Sequence, residues 1–181
     1  LFRIRQAYSL LTWEKSSLLV GQTWHPFFGG SCLPTVAGLN TGAPFTCFNR
    51  SPMIRYNMKF GGLTLSASAV SQLQYNNFGI DAAEFSVTAN QAKRNGVIPE
   101  LVLSAEWTKD AITLGAGALY NQIKPRMLIT ETLVDGKDAS KIADEFLGSN
   151  AFMAYGRYKK DKLTLLLKGY IGDNMQHLTL Q

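Results

Sequence analysis

The chain has 181 residues, and its 18 basic and 13 acidic side chains give a net charge of +5. Charged residues make up 17% and aromatic residues 11%, which excludes a disordered protein and a coiled coil. No apolar run is long enough for a membrane-spanning helix, which excludes a helical membrane protein. A transmembrane β-barrel stays open, because its strands alternate apolar and polar residues and give a mean hydropathy near zero, here −0.03. The basic residues are spread along the chain and do not form a cluster that would bind nucleic acid.

Apolar and polar side chains alternate with a period of two along eight segments, which predicts eight half-buried strands. The irregular segments are 2–13, 17–25 and 150–159, and the clear ones are 53–60, 63–75, 100–108, 112–121 and 163–168. In segment 2–13, Tyr8 and Leu10 belong to the apolar parity and Arg3 and Arg5 to the polar one. Trp13 falls on the polar parity, which a β-bulge near the turn would explain.

Short and long connections alternate between these strands. Compact turns are predicted around residues 13–17, 60–62, 108–110 and 159–161, and long Gly-, Pro-, Asn- and Asp-rich connections around 26–52, 76–97 and 122–149. Compact soluble domains seldom contain three such loops, whereas outer-membrane barrels combine short turns on one side with long loops on the other. Within the third connection, residues 138–148 predict a short helix with Asp138 as N-cap and Gly148 at its end.

The charged residues of the strands indicate which parity would face lipid. An Arg or Lys on the lipid face costs roughly 2–4 kcal/mol at the bilayer midplane, so the parity that contains Arg55 should face inward. The apolar parity, for example Ile54 and Tyr56, should then contact acyl chains. The predicted inward, pore-lining residues are Arg3, Arg5, Arg55, Asn57, Lys59, Gln72, Gln74, Glu100, Glu106, Arg157 and Lys168. Their excess of cations predicts a mild preference for anions.

Aromatic residues lie near the ends of the predicted strands. Those next to the short turns are Trp13, Phe60, Trp107 and Tyr158, and those near the opposite ends are Trp24, Tyr75 and Tyr120. Two aromatic girdles at the membrane interfaces would have this arrangement, although strands are rich in aromatic residues in any case.

Four stretches of the sequence, 18–28, 40–56, 95–101 and 123–126, resemble porin-like outer-membrane barrels of the Bacteroidetes type. The resemblance covers most of the chain. It implies an all-β, antiparallel up-and-down transmembrane barrel in the outer membrane of a Gram-negative bacterium. Its partners would be outer-membrane lipid and the small hydrophilic solutes that diffuse passively through it. Porins often form homotrimers, but no residue of this sequence requires trimerisation.

Residues 1–181 are interpreted as a single β-barrel domain that is incomplete. A porin of roughly 16 strands would need about twice this length, so we expect a signal peptide upstream and further strands downstream. A self-contained barrel of eight strands is the alternative, and its interior would be only wide enough for side chains.

Cys32 and Cys47 lie in the first long connection, which could fold into the lumen as a constricting flap. A disulfide between them would stabilise this loop by roughly 3 kcal/mol in the chain-entropy model, and an envelope location permits oxidation. Two free thiols are the alternative.

Catalytic, metal and cofactor sites find little support. His25 and His177 are the only histidines, and neither GxSxG nor HExxH occurs. His25 is interpreted as a rim residue at the end of a strand. We therefore predict no enzyme, no cofactor and no metal. The alternative to a channel is a soluble β-sandwich that binds carbohydrate or mediates adhesion, which would fold without detergent.

Overall fold

The computed structural model describes residues 4–35, 37, 43, 45–73, 75, 79–80, 86–87, 89–126, 128–132 and 138–180. Strands dominate these residues. They are β1 (Ala7–Thr12), β2 (Ser16–Trp24), β3 (Arg50–Phe60), β4 (Leu63–Val70), β5 (Gly79–Ile80), β6 (Ser86–Val87), β7 (Glu100–Lys109), β8 (Ile112–Ile123), β9 (Leu128–Thr132), β10 (Asp138–Ile142), β11 (Leu147–Lys160) and β12 (Leu163–Gly172). The helix α1 spans Ala89–Arg94, and single 3-10 turns span Pro26–Phe28 and Gln176–Leu178. No helix among the described residues is long and apolar enough to cross a membrane.

Eight of the strands form one antiparallel sheet in the order β1-β2-β3-β4-β7-β8-β11-β12. Each strand pairs with the next one in this order, so the sheet is a simple meander, and all eight predicted strands are confirmed. The sheet is open: in the described part of the chain β1 and β12 are its two edges. Two small ribbons, β5–β6 and β9–β10, lie within the long connections.

The predicted helix at residues 138–148 is wrong. Asp138–Ile142 pairs with Leu128–Thr132 as a β-ribbon, and Leu147 already begins β11. The local helical pattern is short, and the ladder hydrogen bonds with a neighbouring segment override it. The one α-helix of the described residues is α1, in the preceding long connection.

The short turns lie at one end of the sheet, which we call the turn edge. The positive φ angles of Gly61, Asp110 and Asp161, at 58°, 49° and 51°, allow the chain to reverse within two residues. Glycine and aspartate tolerate this left-handed conformation better than most residues, so the sequence predicts these three turns correctly. The long connections lie at the opposite end, the loop edge.

The two faces of the sheet differ sharply in exposure. On the outer face, large apolar side chains are uncovered, with Leu167, Ile171 and Leu103 exposed by 79%, 73% and 63%. The inner face carries the other parity of each strand, and its apolar residues pack into a core with Phe27 and Leu178 near the loop edge. The core residues contributed by the strands are Leu19, Met53, Val70, Val102, Leu119, Ala151 and Met153.

The register of β1 differs from the predicted one. Leu10 pairs with Leu19, and Tyr8 with Gly21, which places Tyr8 and Leu10 on the inner face. Leu11 is on the outer face, opposite Leu18, and Trp13 continues its parity, so no bulge is needed to explain Trp13. Six residues with few charges set the register of an edge strand only weakly, which is why the parity rule fails here.

Candidate functional site

A carboxylate is completely buried on the inner face of the sheet. Glu100 is the first residue of β7, and its exposed fraction is 0%. A buried charge is costly unless it is paired and hydrogen-bonded, so its surroundings must supply donors. Two imidazoles and one amide surround it. His25 contacts Oε1, Nε2 of His177 lies 2.7 Å from Oε2, and Nε2 of Gln72 donates to Oε2 at 3.2 Å. We call His25, Glu100 and His177 the clasp.

His25 is held in one tautomer by the turn that it begins. It caps the 3-10 turn Pro26–Phe28, and its Nδ1 accepts a hydrogen bond from the backbone N–H of Phe27 at 3.1 Å. Because Nδ1 is an acceptor, the ring proton is on Nε2, from which it is donated to Glu100. Burial lowers the pKa of His25, although the Glu100 carboxylate acts in the opposite direction. His25 is therefore a neutral donor.

His177 has the opposite arrangement. Its Nδ1 lies 3.1 Å from the backbone carbonyl oxygen of Asn174, which can only accept, so Nδ1 bears a proton. Its Nε2 is close to a carboxylate oxygen but is not aligned for a hydrogen bond. If Nε2 were unprotonated, its lone pair would face the carboxylate oxygen Oε2 at 2.7 Å, which is repulsive. We therefore assign protons to both ring nitrogens of His177. The clasp thus combines a carboxylate, an imidazolium and a neutral imidazole, and is neutral overall.

A second layer of polar groups fixes the clasp. Nδ2 of Asn49 donates to the carbonyl oxygen of His177 at 2.6 Å, and the hydroxyl of Ser51 donates to Oδ1 of Asn49 at 2.9 Å. The backbone N–H of His25 donates to the carbonyl oxygen of Asn49 at 3.0 Å. Three distant parts of the chain are joined in this way: the first long connection, the start of β7, and the segment after β12.

The clasp holds two 3-10 turns against the inner face. Residues 25–32, 46–49 and 173–180, which we call the plug, contain the fully buried side chains of Phe27 and Leu178. The hydroxyl of Tyr170 donates to the carbonyl oxygen of Phe27 at 3.0 Å, and Nζ of Lys168 donates to that of Phe28 at 2.9 Å. The described ends of the first long connection, residues 25–32 and 46–49, therefore cover the inner face near the loop edge.

The two cysteines belong to the plug. Both are free thiols and both are buried. Sγ of Cys32 lies 3.6 Å from the carbonyl oxygen of Gly156, and the backbone N–H of Cys47 donates to the hydroxyl of Tyr170 at 3.3 Å. The thiols are thus packed against β11 and β12 separately, and of the two alternatives the structure has free thiols.

The other predicted pore-lining residues of the strands share the inner face. Arg55 donates to the carbonyl oxygen of Trp24 at 2.9 Å, Asn57 to the hydroxyl of Ser17 at 2.9 Å, and Arg157 to that of Thr113 at 3.2 Å. Lys59 is exposed, on the same parity near the turn edge. Arg5 lies in a bend before β1 and is exposed. Arg3 and Gln74 lie outside the described residues.

Glu106 is bound by a tyrosine that reaches across a strand. The hydroxyl of Tyr155, in β11, donates to Oε2 of Glu106, in β7, at 2.5 Å. Gly115 of β8 lies between them, opposite both residues in the ladders. A Cβ atom at Gly115 would be 2.1 Å from Cζ of Tyr155. The missing side chain therefore provides the space through which the tyrosine crosses β8.

The predicted girdle residues of the turn edge lie on the outer face. Trp13, Phe60 and Trp107 are exposed by 53%, 52% and 38%, and Tyr158 has the same outward parity. At the loop edge, Tyr75 and Tyr120 are partly exposed. Trp24 differs, because its ring stacks on Phe28 at 4.1 Å and on the guanidinium of Arg50 at 3.8 Å.

The clasp is the feature that the sequence did not reveal. His25 was expected at a rim, but the structure buries it at 2% exposure, so that interpretation is wrong. The only signal was the coincidence of the chain's two histidines with an inward glutamate. Among the described residues, no three His, Cys, Asp or Glu side chains are arranged to hold a metal ion.

Comparison with known proteins gives no assignment. No protein-family model matches the chain, and no curated protein or solved structure matches it significantly. The resemblance to porin-like proteins stays a prediction, and the class that the structure defines is an open, antiparallel eight-stranded sheet with a plugged inner face.

Proposed function

We propose that the protein is an outer-membrane β-barrel channel of the porin-like type, through which small hydrophilic solutes diffuse passively. The observation that supports this proposal is the polarity of the sheet. The outer face exposes apolar side chains, while both acidic residues of the eight strands, Glu100 and Glu106, are on the inner face. A water-soluble sheet has the reverse arrangement, with its apolar face covered and its charges in solvent.

The size of the apolar face favours lipid as its neighbour. Side chains on β3, β4, β7, β8, β11 and β12 contribute to it, so it extends across most of the sheet. Soluble monomers rarely expose contiguous apolar patches larger than a few hundred Å². The exposed members on these strands are Ile54, Tyr56, Met58, Phe60, Leu65, Leu101, Leu103, Trp107, Ile112, Leu114, Leu147, Phe152, Leu163, Leu165, Leu166, Leu167 and Ile171, of which Leu147 and Leu166 have the inward parity.

The edges β1 and β12 favour a closed barrel. Unpaired backbone groups cost several kcal/mol each in hydrocarbon, so a lipid-embedded sheet cannot leave two edges unpaired. In the proposed barrel, further strands or a direct β1–β12 ladder complete the wall. A barrel of about 16 strands has room for a water-filled passage beside the plug, which eight strands alone lack.

The part of the inner face nearer the turn edge fits the wall of such a passage. There Asn57, Ser66, Ser104, Glu106 and Arg157 are partly accessible, in contrast to the sealed region around the clasp. The plug then acts as the constriction at the loop edge, since it lies on the inner face and its backbone carbonyl oxygens accept hydrogen bonds from Lys168 and Tyr170 of the wall.

A matched pair of lysine substitutions tests the proposal. Leu103→Lys places a charge at mid-height on the outer face, and should lower the stability of the folded protein by roughly 2–4 kcal/mol in lipid. Ser66→Lys places the same charge on the inner face of the neighbouring strand β4 and should have a much smaller effect. The full-length protein is folded into vesicles, and the fraction that keeps its folded mobility on unboiled gels is measured against urea.

The soluble β-sandwich gives the opposite result. Its apolar face would be covered by a second layer, the protein would be monodisperse without detergent, and Leu103→Lys would fail to fold in plain buffer. Equal effects of both lysines in vesicles would also contradict the proposal.

A further inference from the structure

We infer that the passage is selective for small anions and that Arg157 is a residue that sets this selectivity. The inference rests on the proposed channel and names the class of solute that it admits. Selectivity follows from the charges that a permeating ion meets, because rings or clusters of charged side chains select ions by sign.

The charges of the inner face are unbalanced. Its parity contains five basic residues within the eight strands, which are Arg55, Lys59, Arg157, Lys159 and Lys168. Only two acidic residues, Glu100 and Glu106, share that face. The inner face is therefore cationic before any pairing between these groups is considered.

Pairing increases the imbalance. Glu100 is 0% exposed, and its charge is compensated inside the clasp by the His177 imidazolium, so it offers nothing to an ion in the passage. Glu106 already accepts a hydrogen bond from Tyr155 at 2.5 Å. Within the described residues, neither Arg55 nor Arg157 forms an ion pair with a carboxylate. Tyr155 is a neutral donor, so Glu106 keeps its negative charge. One accessible carboxylate therefore faces two guanidinium groups that have no carboxylate partner among the described residues.

Arg157 is the better placed of the two arginines. One of its guanidinium nitrogens donates to the hydroxyl of Thr113 at 3.2 Å, and its Nε has no partner in the described part of the chain. Lys168 lies on the adjacent strand, opposite Tyr155, two residues along from Arg157 on the same face. Residues in such a diagonal relation are about 7–8 Å apart at Cα, so the two cations reinforce each other's field. Lys168 is bound to the plug and Arg157 is not, which leaves Arg157 free to meet a solute.

Hydroxyl side chains lie on the inner face of the strands next to Arg157. Arg157 lies opposite Thr113 of β8, and Thr113 lies opposite Thr108 of β7. Ser104 of β7 and Ser66 of β4 lie on the same face further toward the loop edge. Hydroxyl groups can donate to an anion, and a guanidinium donates charge-assisted hydrogen bonds to carboxylate or phosphate oxygens. Chloride, inorganic phosphate and small carboxylates are the chemical class that this wall favours.

Reversal potentials in planar bilayers test the inference with the full-length protein and a KCl gradient. We expect the wild-type protein to give a reversal potential whose sign shows that chloride is more permeant than potassium. Arg157→Gln should shift it toward zero. Lys160→Gln is the matched control, since Lys160 lies three residues away on the outer parity of the same strand, and it should leave the potential unchanged.

The outcomes separate the inference from the channel proposal. If the protein conducts but its reversal potential is zero or shows that potassium is the more permeant ion, anion selectivity is refuted and the channel proposal stands. An equal shift for Arg157→Gln and Lys160→Gln overturns the assignment to Arg157. Folded protein that gives no conductance refutes the channel and, with it, the inference.

Discussion

The clasp predicts that one histidine keeps the plug in place. His177→Phe retains a planar ring of similar size in the buried site, but it removes the contact of Nε2 with Glu100 and the hydrogen bond of Nδ1 with Asn174. Removing one partner of a buried ion pair typically costs 3–5 kcal/mol, because the remaining charge stays buried without compensation. His25 and Gln72 still donate to Glu100, so we expect the lower end of this range. Since about 1.4 kcal/mol corresponds to a factor of ten, the population with a released plug should rise by roughly a hundredfold.

The thiol of Cys47 reports this release. Its exposed fraction is 0%, and burial together with the Glu100 carboxylate raises its pKa, so in the closed plug it is both inaccessible and un-ionised. The rate of maleimide labelling, measured in a Cys32→Ser background, then follows the population of the open plug. Gln176→Ala is the matched control, because Gln176 is the exposed neighbour of His177 in the same 3-10 turn. A labelling rate for His177→Phe within a fewfold of wild type, with the folded gel mobility retained, would refute a fastening role for the clasp.

Two further predictions concern single side chains. Gly115→Ala should lower the free energy of unfolding in urea by about 2–4 kcal/mol, because the new Cβ displaces the Tyr155 ring and breaks its hydrogen bond to Glu106. Gly169→Ala is the control and should be neutral, since a Cβ atom there would have no other atom within 4 Å. A cost that persists in full when Tyr155 is already leucine would contradict this explanation. Because burial lowers the pKa of His25, the unfolded chain binds more protons, so stability should fall as the pH drops below about 6.5. His25→Asn keeps an N-cap acceptor but does not titrate. The temperature at which half of the protein loses its folded mobility on unboiled gels should therefore vary less with pH in this variant than in wild type. If this temperature depends on pH equally in both proteins, His25 is not the titrating group.

The sheet could be predicted from the sequence because the alternation of apolar and polar residues determines which way each side chain faces at nearly every strand position. Long strands such as β3 and β7 place apolar and charged residues on opposite parities over ten or more residues, so a register error would put Arg55 or Glu106 on the wrong face. The turns were equally clear, since Gly61 and Asp110 occupy positions that require positive φ. Edge strand β1 has only six residues and no charged residue that must face inward, and for this strand the predicted assignment of faces was wrong.

The clasp could not be predicted, because its three residues are far apart in the chain. His25, Glu100 and His177 meet only after the sheet has formed and the connections have folded back onto it. Each residue alone has an ordinary local explanation: a cap, an inward strand residue and a member of a 3-10 turn. Periodicity describes how a strand is oriented, but it contains no information about which loop will cover that strand.

A second polar fastening shows that the clasp is part of a general arrangement. Nζ of Lys93, in α1, donates to Oδ1 of Asn121 at 2.6 Å and to the carbonyl oxygens of Ile98 and Gln122 at 2.9 and 3.1 Å, although burial lowers the pKa of Lys93. Here too a charged group of a connection is buried against an inner-face polar residue near the loop edge.

The two fastenings have a common physical reason in the proposed barrel. Apolar surface there is in contact with lipid on the outer face and must be scarce on an inner face that lines water. A loop that folds onto such a wall finds only the small core around Phe27 and Leu178 for apolar contact. Ion pairs and charge-assisted hydrogen bonds are then the interactions left to hold it, and they are stronger where water is excluded. Because these bonds are directional, they fix the loop in one position and would keep the dimensions of the proposed constriction constant.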